Sequence, residues 1–557
     1  MVLNRVLNIL LFGLGVQAST GYLGDAQQQP MSMSKTGESN VCAMHGGSLP
    51  SFGYAKDGSH SVSALSPTLA IRPLAVSGPP ENRVDLVFFS DGYTIEEMDK
   101  FFTDAKRLAD DISQNQTFFT VRPLLNFWGA FTPSEESGIG ADGVPKKTPY
   151  GLYREGTELR AVYYARPEVA HAACDSMGDQ CNYPILLGND PLYGGLGGEF
   201  TVITSSILNG PLVLRHELGH SIIDVGEEYD GGFAYFGVNA VQDAHEPVSW
   251  DHWLSTPPST SGSINSDARV ERSVMPMQTY PWTLLNTTES WSIKFPASGL
   301  YFRHVVRFSL SGLPEATDLR VELDGIELDW VPKEGLGLDR WHYDIHRAGG
   351  LSDGEHILSF TLLNQEREGV AQLCSAEILE FGDEDEFVSS PGFYSLYPTF
   401  SDKNETSYRP TNEDCLMRIV TSPDLCKVCT EGLWIHLLKS VNLIDDLTES
   451  CTHSSSTWTK ILTLDLVPLA HLRNPEENNE PINNESYAII WKKDGIVLNE
   501  FANMTSIAIE DNNNNDEEVL GRYEVFVKFS TDEIRLDEEG RTSSSRVYDV
   551  TTHCEDD

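Results

Sequence analysis

Two histidines stand four residues apart in Arg215-His216-Glu217-Leu218-Gly219-His220, and this stretch narrows the possible folds more than any other. Four residues are about one helical turn, so on a helix both imidazoles lie on one face and can reach one cation. The flanks favour a buried helix. Pro211 suits a first turn, Leu212, Val213, Leu214, Leu218, Ile222 and Ile223 are apolar, and Gly226 is the expected terminator.

The pattern is His-Glu-x-x-His, with Glu217 at the position of a general base. Such a pattern also arises by chance. Here an apolar helix surrounds it, and a glycine and two acids follow, which favours a metal site. A catalytic zinc needs a third protein ligand and an open position for water. Asp224 continues the four-residue series, but on an unbroken helix it sits about 12 Å along the axis from His216, too far for bonds of about 2 Å. The third ligand is therefore expected after the turn, at Glu227 with Glu228 as the fallback. Asp224 is then free to orient a histidine from outside the ligand set.

Residues 1–18 carry Arg5, the apolar run LNILLFGLGV and a small-residue ending at Val16-Gln17-Ala18, and are expected to be a signal peptide. No later stretch has 18 uninterrupted apolar residues, so no membrane span is expected. Asn-x-Ser/Thr sites at Asn115, Asn286, Asn404, Asn484 and Asn503 agree with a secreted, extracellular glycoprotein. Nine cysteines among 557 residues suit a few staples and leave one thiol over. Cys174 with Cys181, and Cys415 with Cys426 or Cys429, are the expected pairs; Cys426-Lys-Val-Cys429 lacks the second Cys-x-x-Cys of a zinc ribbon and the βαβ context of a redox motif, so a structural disulfide is expected there. The net charge of -44 argues against nucleic-acid and anionic-lipid partners.

The length implies two to four domains. Residues 19–79, rich in Gln, Ser, Gly and Pro, read as a leader of low order. The run Arg83–Ser90 has the character of a buried strand. Thr94 to Glu97 has a capping-box pattern, and apolar positions at helical spacing follow, from Met98 to Ile112. Leu124–Pro133 offers a second strand. TVITSS, ending at Ser206, offers a third, and Gly194–Gly198 before it suit an edge segment that holds substrate by strand addition. Leu319, Val321 and Leu323 alternate with polar residues up to a turn at Asp324-Gly325, the mark of a hairpin. Residues 297–384 are expected to form an inserted β-sandwich and residues 446–557 a second β-module, with an acidic loop at NNNNDEE. Residues 80–296 and 385–445 then make the catalytic domain. The fold class is α+β, and a monomer is expected.

Ser90-Asp91-Gly92-Tyr93, His216 to His220 and Glu227-Glu228-Tyr229 together resemble the pattern of the IgA peptidase family of zinc metallopeptidases. A further block, Tyr408-Arg409-Pro410, Cys415-Leu-Met417-Arg418 and Cys426-Lys-Val-Cys429, is similar to that family too. The likeness covers about residues 80–253 and 388–440. It implies a zincin-like domain, with a mixed sheet behind the active-site helix and Met417 in a methionine turn beneath the zinc. The chain departs from the family's Asp-Glu-Tyr by having Glu227 first.

The chemistry expected is peptide-bond hydrolysis of a protein or peptide substrate. Zn2+ is bound by His216, His220 and Glu227, and Glu217 acts as general base. Tyr229 or Tyr408 is the candidate oxyanion donor. The alternative is a secreted, non-catalytic adhesion or binding protein with a structural zinc, which needs a fourth ligand such as Asp230, His245 or His252.

Overall fold

In the computed structural model, which describes residues 66–114, 117–256, 268–454, 457–473, 482, 484–511 and 519–554, the apolar run from Val84 lies inside a six-stranded sheet. Its strands are β1 (Ala70–Ala75), β2 (Val84–Asp91), β3 (Leu125–Phe131), β4 (Tyr183–Gly188), β5 (Gly195–Leu196) and β6 (Thr201–Thr204). Their spatial order is β1-β3-β2-β4-β6-β5. The inner four are parallel, and β1 and β5 are antiparallel edges. Every residue of β2 is buried. A strand covered on both faces needs a continuous apolar run rather than an alternating one. The signal peptide, Asn115 and the acidic loop lie outside the described residues.

After β2 the chain turns at Gly92, whose φ of 77° suits glycine; a Cβ there would lie 2.7 Å from the backbone of Gly138. Thr94 donates its backbone N–H to Glu97 Oε2 at 2.9 Å, and helix α1 (Met98–Ile112) follows. It buries Phe101, Phe102, Ala105, Leu108, Ala109 and Ile112. Helix α2 (Pro167–Ser176) precedes β4, and α3 (Gly210–Ile222) follows β6; α4 (Lys427–Leu437) comes much later in the chain.

β1 corrects the expectation of low order up to residue 79. The segment AIRPLA is short, mostly exposed and contains Pro73, so it has neither alternation nor an apolar run. An edge position tolerates that proline.

Two packed sheets follow. One joins Ser273–Thr279, Thr283–Leu284, Arg303–Ser311, Arg340–Arg347 and Gln372–Phe381. The other joins Trp291–Ser298, Leu319–Leu323, Ile326–Glu327 and Asp353–Leu362. Their inner faces share a core in which Phe308 and Phe360 meet edge to face at 5.3 Å. Asp324 and Gly325 both have positive φ, as a two-residue hairpin turn requires. This β-structure begins at Ser273, before the expected residue 297. The C-terminal strands form a three-stranded and a four-stranded sheet. Their core is continuous with that of the first sheet: Trp434 of α4 packs on Phe529 at 5.3 Å.

Cys174 and Cys181 are disulfide-bonded, and so are Cys451 and Cys554, a pair not expected from spacing. The expected bond from Cys415 to Cys426 or Cys429 is absent, and all three are buried free thiols. Cys415 Sγ and Cys429 Sγ are 3.8 Å apart, against the roughly 2.0 Å of a disulfide.

Candidate active site

Helix α3 is buried on nearly every side, which accounts for its apolar sequence. Arg215 within it is almost fully buried and binds the Asp111 carboxylate and carbonyl at the end of α1. The helix ends at Ile222, four residues before the expected terminator. Ile223 is extended, and Val225 makes a β-bridge with Gly237. Gly226 serves a different purpose: a Cβ on it would lie 2.4 Å from Ala234 O and 2.5 Å from Phe236 N. The early turn brings Glu227 back over the helix it has just left.

His216 Nε2 and His220 Nε2 are 3.3 Å apart, and the Glu227 carboxylate lies 3.3 Å from the first and 3.1 Å from the second. Each ring is fixed from behind. His216 Nδ1 contacts Leu416 O at 3.2 Å, and His220 Nδ1 contacts Val225 O at 3.1 Å. A carbonyl only accepts, so each Nδ1 donates to it and each Nε2 is the ring nitrogen turned to the common centre. Asp224 is exposed, and it is the Val225 carbonyl that orients His220.

Glu228 turns the other way. Its N–H donates to Met417 O at 3.1 Å, and its carboxylate lies among the three thiols. Met417 packs beneath α3, and its sulfur would be 3.0 Å from a Cβ on Gly219. Arg418 donates to Glu228 O at 2.9 Å and pairs with buried Asp230 at 2.7 Å. The segment 415–418 thus underpins both the helix and the return loop. Asp230 is taken by Arg418, and His252 pairs with Glu431 at 2.5 Å. His245 is exposed. Among the described residues none of the three joins the group of His216, His220 and Glu227.

Glu217 faces a cleft that Tyr193, Tyr229, Tyr280, Arg340 and Arg418 also line. The glycine segment runs along it: a Cβ on Gly197 would lie 2.6 Å from Glu217 Oε2. β5, within that segment, is an edge of the sheet. Tyr408 pairs through its backbone with Val241 and is absent from the lining. Sequence reasoning missed Tyr193, Tyr280 and Arg340. Arg340 and Tyr280 come from the inserted β-structure, where no local pattern marks them. Tyr193 has a weak signal in preceding the glycine run.

Burial raises the Glu217 carboxyl above its ordinary value, and the two imidazoles offset part of this. Burial works against the charged form of Glu227 as well, but both imidazoles outweigh it and hold that carboxyl far below the usual range. Desolvation opposes charge on His220, yet Glu227 and then Glu217 carry it up to about 9, and His216 is raised for the same reason. Two carboxylates in one buried site therefore have opposite characters. Glu227 is shifted towards the anion, and Glu217 towards the protonated form.

A comparison with curated proteins gives no match. Among solved structures the chain is similar to a β-D-glucuronidase from Dictyoglomus thermophilum, at 9% identity and TM-score 0.11 over 58% of this chain and 41% of that one. It is similar also to a Ruminococcus gnavus β-glucuronidase, at 10% identity and TM-score 0.12 over 47% and 36%. It spans less than half of either, and likeness of this degree carries no argument. Residues 72–262 match the family described as IgA Peptidase M64, and they contain the sheet but for the start of β1, together with α3 and Glu227. That family implies a metal ion, and the two histidines and Glu227 form a group able to hold one. Over these residues the chain is similar to the IgA Peptidase M64 family of metallopeptidases, a match confined to 72–262 of its 557 residues.

Proposed function

We propose that the chain is a secreted, zinc-dependent endopeptidase with a zincin-like catalytic domain. The observation that carries this reading is the set of donor separations, 3.1 to 3.3 Å, among His216 Nε2, His220 Nε2 and the Glu227 carboxylate. Ligands about 2.0 to 2.1 Å from a tetrahedral zinc lie about 3.3 Å from one another. Three such donors make one face of a tetrahedron and leave the fourth position to the cleft. Glu227 is then the third ligand, and Met417 stands where a methionine turn belongs.

Zinc, when bound, would acidify a water molecule and polarise the scissile carbonyl. Glu217, beside the histidines and facing the cleft, accepts the proton from that water and returns it to the departing amine. Its raised proton affinity favours the first transfer. β5 offers an unpaired strand edge along Glu217, against which an extended substrate backbone can pair. Tyr229 and Tyr193 are among the tyrosines that line the cleft, and either phenol could face an oxyanion there. Secretion draws on the N-terminal sequence, on two disulfides and on four exposed Asn-x-Ser/Thr sites at Asn286, Asn404, Asn484 and Asn503. Among the described residues no helix is long and apolar enough to cross a membrane.

The experiment is hydrolysis of unfolded casein by the purified protein, with and without a zinc chelator, beside Glu217→Gln. Chelator-sensitive cleavage lost in Glu217→Gln, with zinc content unchanged, is expected. A fully active Glu217→Gln would refute the assignment of the base, and cleavage indifferent to chelation would refute the metal.

A further inference from the structure

Glu228 is one residue past Glu227, yet its carboxylate belongs to a second group, with the thiols of Cys415, Cys426 and Cys429. The four ligand atoms all lie within 4.8 Å of one another. Glu228, Cys415 and Cys429 are 0% exposed and Cys426 is 3% exposed. We propose that these four side chains form a closed, structural zinc site, separate from the histidine site.

Two separations carry the argument. Thiolates about 2.3 Å from a tetrahedral zinc lie about 3.8 Å apart, and a thiolate and a carboxylate oxygen lie about 3.5 Å apart. Cys415 Sγ and Cys429 Sγ are 3.8 Å apart, and Cys429 Sγ is 3.6 Å from Glu228 Oε1. The carboxylate supplies an independent observation. Asn239 donates to Oε1 at 2.9 Å, while Oε2 is buried with no hydrogen-bond partner among the described residues. Such an atom is costly unless a cation meets it.

The local chain suits a metal as well. Cys426 caps α4 and Cys429 lies in its first turn, a Cys-x-x-Cys spacing placed where unpaired N–H groups stabilise negative sulfur. The Cys426 N–H donates to Cys415 Sγ at 3.4 Å. A disulfide between any two of the thiols would strand the third beside a buried carboxylate. Three thiolates and one carboxylate select zinc over harder cations, and four protein ligands leave no position for water.

The consequence lies next door. Cys415 is followed by Leu416, whose carbonyl orients His216, and by Met417, whose carbonyl receives the Glu228 N–H. The site would lock this segment beneath α3 and anchor it to α4. Glu228 closes the link from the loop that carries Glu227.

The test is metal content of the full-length protein purified from zinc-replete medium, with a non-reducing peptide map. Two zinc equivalents are expected in the wild type, one in His216→Ala/His220→Ala and no more than one in Cys426→Ser/Cys429→Ser. If the cysteine variant does not fold, the histidine variant decides. Exchanged with cobalt, it should keep an intense near-ultraviolet thiolate-to-cobalt band. A single equivalent that the histidine substitutions abolish, the lack of that band, or Cys415 found disulfide-bonded to Cys426 or Cys429 would each overturn the proposal. Casein left uncut beside a retained thiolate-bound metal would count against the peptidase reading and leave this site standing.

Discussion

Gly197→Ala tests how finely the proposed base is positioned. The new methyl carbon would lie 2.6 Å from Glu217 Oε2, and ordinary contact begins at 3.4 Å, so the carboxylate must retreat by 0.8 Å. The Gly197 backbone is not in the left-handed region, so alanine itself is unstrained. The obstructed atom is the end of a side chain facing a cleft, so movement is cheap and the fold should survive. Catalysis is less tolerant: general-base transfer contributes about 10²- to 10⁴-fold, and a misplacement of about 1 Å costs on the order of 10²-fold. We expect kcat on a quenched fluorescent peptide to fall about 10- to 100-fold, or about 1.4 to 2.7 kcal/mol in the barrier. Zinc content and melting temperature should match the wild type, and Gly349→Ala, whose Cβ meets nothing within 4 Å, serves as control. Unchanged kcat in Gly197→Ala would refute the placement of Glu217, and a collapse of Tm in step with activity would refute the claim that the effect is local.

Met417→Ala removes a fully buried side chain beneath Gly219 and should cost about 2 to 5 kcal/mol in chemical denaturation, more than the loss of a methionine on the surface. Arg418→Ala leaves Asp230 buried without its partner and should cost about 3 to 5 kcal/mol by the same measurement, with Arg418→Lys recovering only part. Burial, with Lys439 nearby, holds the His436 imidazole down at about 4 from its ordinary 6.5. The folded chain therefore binds that proton less readily than the unfolded chain. Its contribution is present above pH 6.5 and is lost as the pH falls towards 4. Thermal melts across that window should show a decline that His436→Gln flattens.

The sequence made the site's first half legible because that half is local. Two histidines and a glutamate on one helical turn are fixed relative to each other by helix geometry alone, and the apolar run of β2 and the Asp-Gly hairpin are similarly self-contained. Glu227 and Glu228 were harder. Nothing in two adjacent acids says which turns towards the histidines, since that depends on the helix ending at Ile222 and on Asn239 and three cysteines drawing Glu228 away. The thiols misled for the opposite reason. Spacing alone is as compatible with a disulfide as with a ligand set, and only the convergence of a distant carboxylate distinguishes them. Arg340 and Tyr280 were illegible because a strand's register decides which side chains reach a cleft built by another part of the chain.

His216 and the carbonyl that orients it, Leu416 O, are separated by 200 positions along the chain. Between them lies the whole inserted β-structure. A ribosome delivers both histidines and both adjacent glutamates long before it delivers the segment that steadies them. Until Leu416 and Met417 have emerged and docked under α3, the helix has its ligands but no floor. The order of synthesis thus places both histidines and both glutamates in the nascent chain before the carbonyl that orients His216 has been made.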